Sequence, residues 1–182
     1  MRVLFTHSYF LRFDPKQWST MQPYAPLGTL YGAALLRSHG YEVRLNDVMF
    51  ATGPGSLVSV LQEYKPEVLV IYDDGFNYLT KMCLTNMREA AFDMSAMARS
   101  YGCKVIVSSS DSTDHFEQYL DHSADYIIIG EPEQTLLELV SSIKAGKDDG
   151  LSIAGVATRV DGSTIRTQTR PVMTDLDSLP LP

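Results

Sequence analysis

The chain has 182 residues, is 45% hydrophobic and 20% charged, and carries a formal net charge of −7. That length supports one well-buried core with a small appendage, and the 15 lysines and arginines are scattered, which excludes the concentrated basic face of a nucleic-acid groove. No apolar run reaches the roughly 18 residues of a membrane span, and the opening MRVLFTH is too short for a secretory signal.

In chain order, RVLFTH (2–7) reads as a first strand. A long loop follows over 8–26, rich in Tyr9, Phe10, Phe13 and Trp18; loops of this length in a domain are usually functional or disordered. LGTLYGAALLRSHG (27–40) has helical apolar spacing and a glycine stop. YEVRLND is a second strand, SLVSVLQEYKP a helix and EVLVIYDD a fully apolar strand. FNYLTKMCLTNMREAAFDMSAMARSYG is a long helix. Its Met82, Met87, Met94 and Met97 read as filling for an irregular core, and Lys81, Arg88 and Arg99 as its solvated face. CKVIVSSS is strand four, DHFEQYLDHS a short helix, ADYIIIGE strand five and PEQTLLELVSSIKAG the last helix. Strands without polar alternation, in series with helices, predict a parallel sheet covered on both faces. From about Gly150 the texture changes: IAGVATRVDGSTIRTQTRPV reads as two strands joined by an Asp161-Gly162 turn. Cys83 and Cys103 have no metal spacing and no disulfide framework; they suit a reducing cytosol and read as small buried hydrophobes.

Ligands of an open parallel sheet bind beyond the carboxyl ends of its strands, which selects the loops 7–26, 73–77, 108–114 and 130–133. No G-x-G-x-x-G follows strand one, and no phosphate loop occurs. A phospho-receiver would use Asp73 or Asp74, but it lacks the acidic magnesium ligands after strand one and the lysine after strand five. The histidines 7, 39, 115 and 122 have no i, i+4 pairing, and His39, before a helix-stopping glycine, suits a helix carboxyl end.

YAPLGTLYGAALLRSHGYEVRLND, ADYIIIGEPEQTLLELV and IAGVATRVDGSTIRTQTRPVMTDLDSLPLP, taken together and in this order, resemble the N-terminal cobalamin-binding domain of cobalamin-dependent radical SAM enzymes. The shared pieces are a Pro-Leu-Gly helix opening, a Gly-Glu-x-Glu with Leu-x-Glu-Leu, and a hairpin leading to Asp-Leu-Asp-x-Leu-Pro-x-Pro. The resemblance implies an α/β, flavodoxin-like, doubly wound five-stranded parallel sheet with a C-terminal β-hairpin. It divides the chain into a cobalamin-binding domain (1–149), a hairpin appendage (150–173) and a linker (174–182) to a radical SAM domain of the same polypeptide. It implies a cytoplasmic protein that holds base-off cobalamin at the carboxyl edge. The [4Fe-4S] cluster and S-adenosylmethionine belong only to the further domain, since these 182 residues have no Cys-x-x-x-Cys-x-x-Cys and are not expected to catalyse a reaction alone.

On this resemblance Tyr9, Phe10, Trp18, Tyr24 and Pro26 would wall the corrin, and Pro26, Leu27 and Gly28 would set the turn against its edge. Asp73, Asp74, Asn77, Ser108, Ser109, Ser110 and Asp111 would meet its amides or tail, and Gly130 would allow close backbone approach. Glu131 and Glu133 would join them, with helix capping as their other reading. Two departures matter. The Asp-x-His-x-x-Gly of cobalamin-binding mutases is reduced to His7 alone, without the acidic partner that orients such an imidazole, so His7 is not assigned as a metal ligand. The usual Gly-Gly-x-His-x-Thr is SSSDST (108–113), with Ser108 and Ser109 for the glycines and Asp111 for the histidine. That narrowing gives the second reading, a cobalamin-free interaction or regulatory domain on the same scaffold.

Overall fold

The computed structural model describes residues 1–73, 83–147 and 150–182. Strands β1 (Arg2–Thr6), β2 (Glu42–Asn46), β3 (Val68–Tyr72), β4 (Lys104–Ser108) and β5 (Tyr126–Ile128) pair in parallel in the order β2-β1-β3-β4-β5. β3 is buried along its whole length, as a strand covered on both faces must be. Helices α2 (Leu27–Ser38) and α7 (Glu133–Lys144) cover one face, where Leu36, Leu136, Leu139 and Val140 meet Val3, Val68, Val70 and Ile106. Helices α3 (Leu57–Tyr64), α4 (Leu84–Ser100) and α6 (Phe116–Asp121) cover the other, where Leu61, Met94, Ala98 and Tyr119 meet Leu4, Leu69, Ile71 and Val105.

The sheet has seven strands among the described residues, not five. β6 (Val156–Val160) pairs antiparallel with β5, and β7 (Ser163–Arg166) antiparallel with β6. The hairpin therefore extends the main sheet: its inner strand covers the hydrogen-bonding edge that β5 would otherwise leave open. The Asp161-Gly162 turn has positive φ at both residues (50° and 79°), the geometry a two-residue hairpin favours.

Two stretches read as irregular are helical. The loop after β1 contains α1 (Pro15–Thr20), with Pro15 in its first turn and the Asp14 carboxylate accepting from Gln17 N at 3.1 Å. SSSDST forms α5 (Ser110–Asp114), closed by a reciprocal capping box between Ser109 and Ser112.

Candidate ligand site at the carboxyl edge of the sheet

The chain leaves β1 towards β2 on one side and returns to β3 on the other, so the crevice of the strand order opens between the ends of β1 and β3. Ser8 and Asp73 bridge it. Ser8 N donates to Asp73 Oδ1 at 2.6 Å and Ser8 Oγ to Oδ2 at 2.9 Å. Burial pushes the Asp73 carboxyl above its ordinary range, against these two hydrogen bonds and the nearby His7. The folded state thus holds the Asp73 proton more tightly than the unfolded chain. Stability is expected to fall as pH rises from the ordinary aspartate range, near ~3.9, through the folded value. Asp73→Asn keeps an acceptor for Ser8 N, and the Ser8 hydroxyl can rotate to accept from the new amide. This variant should be more stable than wild type at pH 8 by roughly 0.5–2 kcal/mol, with no such gain near pH 4. Urea unfolding at both pH values checks it, and an equal effect at the two would remove the argument.

Beside this bridge His7 is 3% exposed, and its Nε2 donates to Asp47 Oδ1 at 2.9 Å. That hydrogen bond holds the Asp47 carboxyl below its ordinary range, with a further bond from Met49 N. The acidic partner that the local sequence lacks comes instead from the end of β2.

The 8–26 segment folds as an aromatic lobe. Tyr9 and Tyr24 lie 5.3 Å apart at 42°, Arg12 stands over the Trp18 ring at 4.2 Å, and Tyr9 and Leu11 pack on Met49, Cys83 and Met87. Burial pushes the Cys83 thiol up to about 12 and the Cys103 thiol up to about 11, so neither is a thiolate near neutral pH and both are packing groups. Under the lobe, among the described residues, Gln17 Oε1 is buried with no hydrogen-bond partner, and Tyr9 Oη and Asp14 Oδ2 are buried and near each other without a hydrogen bond of ordinary geometry. Leaving such a group unpaired costs about 1–3 kcal/mol.

Next to the lobe, Pro26 precedes α2 and is buried, while Leu27 is exposed. Gly28 and Gly32 lie one helical turn apart, on the same side of α2. A Cβ on Gly28 would stand 2.8 Å from Tyr72 Cε1, and one on Gly32 would stand 3.2 Å from two carbons of the same ring. Tyr72 is the last residue of β3 and sits in register with Ser108 of β4. Its hydroxyl donates to Glu133 Oε1 at 3.1 Å, and its carbonyl accepts from Thr29 Oγ1 at 2.7 Å.

The other expected site residues are distributed as follows. Ser108 is buried, and Ser109 caps α5. Ser110 is exposed. Asp111 turns to the opposite face, where Arg88 donates to it twice (Nε at 2.7 Å, Nη2 at 2.6 Å) and Tyr119 Oη once at 2.8 Å. Arg88 therefore leaves the solvated face expected of it, and Arg99 pairs with Asp125 at 2.6 Å. Gly130 is exposed with φ +84°, and nothing stands within 4 Å of where its Cβ would be. Glu131 Oε2 accepts from Met173 N at 2.7 Å. Asp74 and Asn77, with Lys81 and Met82, lie outside the described residues.

Sequence reasoning missed Ser8, Asp47 and Tyr72, and overlooked Asp14 and Gln17. The two glycines four apart in α2 were a signal for Tyr72, since paired helix glycines on one face mark a close neighbour. A cavity of about 640 Å³ at the opposite edge is lined by Arg99, Lys104, Asp121, Asp125 and Arg159. Arg99 pairs with Asp125 and Arg159 with Asp121, and the cavity is remote from the strand ends where ligands of such sheets bind. No group of three histidines, cysteines or carboxylates able to hold a metal occurs among the described residues, and no described helix is long and apolar enough to cross a membrane.

No protein-family model matches the sequence, and no curated protein does. Solved structures do match. One is the radical S-adenosylmethionine methyltransferase TsrM from Kitasatospora setae with cobalamin and a [4Fe-4S] cluster bound, at 17% identity and TM-score 0.68 over 99% of this chain and 31% of TsrM. Another is the cobalamin-dependent S-adenosylmethionine radical enzyme OxsB with aqua-cobalamin bound, at 18% identity and TM-score 0.69 over 94% of this chain and 22% of OxsB. The chain thus spans less than a third of either enzyme and shares the fold of that part.

Proposed function

We propose that this chain is the cobalamin-binding part of a radical SAM enzyme, a methyltransferase or a related radical enzyme, and that it presents base-off cobalamin to a radical SAM domain of the same polypeptide. The observation that carries this reading is the make-up of the carboxyl edge. An aromatic lobe with buried acceptors at Asp14 Oδ2 and Gln17 Oε1 adjoins a face of α2 that Gly28 and Gly32 leave without side chains and that the Tyr72 ring fills. Cobalamin is large and amphipathic: its corrin needs an apolar wall, its fringe of primary amides supplies hydrogen-bond donors, and its base is planar and aromatic. The residues present fit each part. Tyr9, Trp18 and Tyr24 would face the corrin, Asp14, Gln17 and Asp73 would accept from amides, and the glycine-paved slot would receive the base.

Bound cobalamin supplies a cobalt centre able to carry a methyl group, chemistry that the [4Fe-4S] cluster and S-adenosylmethionine of the further domain would complete. The chain's own residues bind and orient. The order β2-β1-β3-β4-β5 of the parallel strands supports the flavodoxin-like reading, and within it residues 1–149 form the binding unit. The hairpin (150–173) directs the chain: β7, separated from β5 by β6, runs in the same direction as β5, so the chain emerges at the same edge as the site. There Arg170 Nε donates to Thr135 Oγ1 at 2.7 Å, and the Arg170 guanidinium pairs with Glu138. Beyond this root Val172, Leu176 and Leu181 are exposed, as suits a linker (174–182) whose apolar side chains meet another domain.

The purified chain mixed with hydroxocobalamin is expected to keep a coloured, base-off complex through gel filtration. A protein peak left colourless both by hydroxocobalamin and by cobinamide, the same corrin without the nucleotide base, overturns the proposal.

A further inference from the structure

Tyr72 occupies the slot that the proposed function assigns to the ligand's aromatic base. The residue is 6% exposed, and its ring lies against the two positions of α2 that carry no side chain, closely enough that a Cβ at either would crowd it. The two ends of the residue are held differently. The backbone is fixed by Thr29 Oγ1 on the Tyr72 carbonyl and by Asp73 N on Ser108 O at 2.9 Å. The ring is held by packing and by its hydroxyl bond to Glu133, a half-buried residue in the first turn of α7. Tyr72 is also the last residue of β3, so a rotation about its side-chain bonds leaves the pairing of β3 with β1 and β4 intact. A planar ring between a glycine-paved helix and a strand end has the shape of a planar aromatic ligand in the same place.

We propose that Tyr72 is the specificity-determining residue of this site, a displaceable plug, latched by Glu133, that must swing out before the nucleotide base of a corrinoid can enter the slot between α2 and α7. The inference rests on the cobalamin reading above and adds to it which residue stands in the way and which part of the ligand it opposes. A protein whose competent conformation is a minor population binds more weakly by that fraction, commonly tenfold or more. Removing the plug removes the penalty, and only for ligands that use the slot.

The test titrates the wild-type chain, Tyr72→Ala and Tyr72→Phe with two probes, following the corrin absorption spectrum. Hydroxocobalamin carries the nucleotide base; hydroxoaquacobinamide has the same corrin without it. Tyr72→Ala is expected to bind hydroxocobalamin roughly tenfold or more tightly than wild type, with cobinamide affinity unchanged. Tyr72→Phe, which keeps the ring and loses the hydroxyl that forms the latch, should take up hydroxocobalamin several-fold faster, and it carries the test alone if the alanine variant does not fold. An unchanged or weaker hydroxocobalamin affinity in Tyr72→Ala, an equal gain for both probes, or an unchanged association rate in Tyr72→Phe overturns the plug while leaving the cobalamin reading in place. Failure of every form to bind either probe overturns the cobalamin reading, and the plug with it.

Discussion

Replacing Arg88 with alanine is expected to lower the unfolding free energy by about 3–5 kcal/mol, the usual result of leaving a buried charge without its partner. The Asp111 side chain is 7% exposed and that of Arg88 21%, so the loss should fall toward the lower end, with water reaching one side of the pair. The geometry is a fork: two guanidinium nitrogens meet two carboxylate oxygens, and Tyr119 Oη adds a third donor. His115 Nε2 stands 3.8 Å away. Burial alone would push the Asp111 carboxyl up, but the hydrogen bonds from Arg88 and Tyr119, with the charges of Arg88 and His115, outweigh it and hold the carboxyl below its ordinary range. Asp111 therefore contributes stability that is fully present above the unfolded value, near ~3.9, and is lost as pH falls through the lower folded value. Arg88→Ala should remove that acid-limb dependence together with the stability. Tyr119→Phe, which removes one donor and keeps the fork, should cost only about 1 kcal/mol. Denaturant unfolding between pH 3 and pH 7 reads all three. A loss below 1 kcal/mol at neutral pH for Arg88→Ala would show that the fork is not a principal tie between α4 and the end of β4.

The Arg88–Asp111 tie also shows where the sequence was legible and where it was not. Local patterns carried the strands: VLVIY and YII have no polar alternation and are buried on both sides, and Asp161-Gly162 announced its hairpin. The cue for α1 was present too, an Asp-Pro pair that caps and opens a helix, but aromatic side chains on both sides of it read as a loop. The five residues of α5 were too few to show a period; only the Ser109–Ser112 box marks them. Pairings between distant segments left no local trace. Asp47 reaches His7 from the next strand, Ser8 reaches Asp73 across 65 residues, and the hairpin joins the main sheet through β5. The candidate site is built chiefly from such pairings. Residue types in SSSDST suggested a tail-binding loop, whereas the fold turns Asp111 away towards α4 and leaves Tyr72, a residue with no motif of its own, against the glycines of α2.

Gly155→Ala is expected to cost about 2–5 kcal/mol and to loosen the segment that leaves the domain. Two terms add. With φ at +79° the residue is left-handed, a conformation that costs an L-residue about 1–2 kcal/mol. The new Cβ would also stand 3.0 Å from Thr135 Oγ1, 3.1 Å from the Ile129 carbonyl and 3.4 Å from Arg170 Cβ, an overpacking worth roughly 1–3 kcal/mol. These three neighbours belong to the start of α7, the end of β5 and the exit strand. The Gly155 backbone pairs with two of these segments, donating to Gln168 O and accepting from Ile129 N at 2.8 Å each. Gly155 is thus the point at which the site loop 130–133 and the departing chain are held together. Gly40→Ala is the matched control: its φ is +78°, and nothing stands within 4 Å of its Cβ position, so it incurs the conformational term alone, about 1–2 kcal/mol. The decisive readout is tryptic cleavage of the Arg166–Thr167 bond, which is held to β6 by Thr167 N on Val156 O beside the Gly155–Gln168 hydrogen bond and should become several-fold faster in Gly155→Ala while staying at the wild-type rate in Gly40→Ala. Equal cleavage rates in the two variants would mean that the exit segment is not anchored through this junction. A faster rate confined to Gly155→Ala would tie the direction in which the chain leaves the sheet to a single residue beside the carboxyl edge.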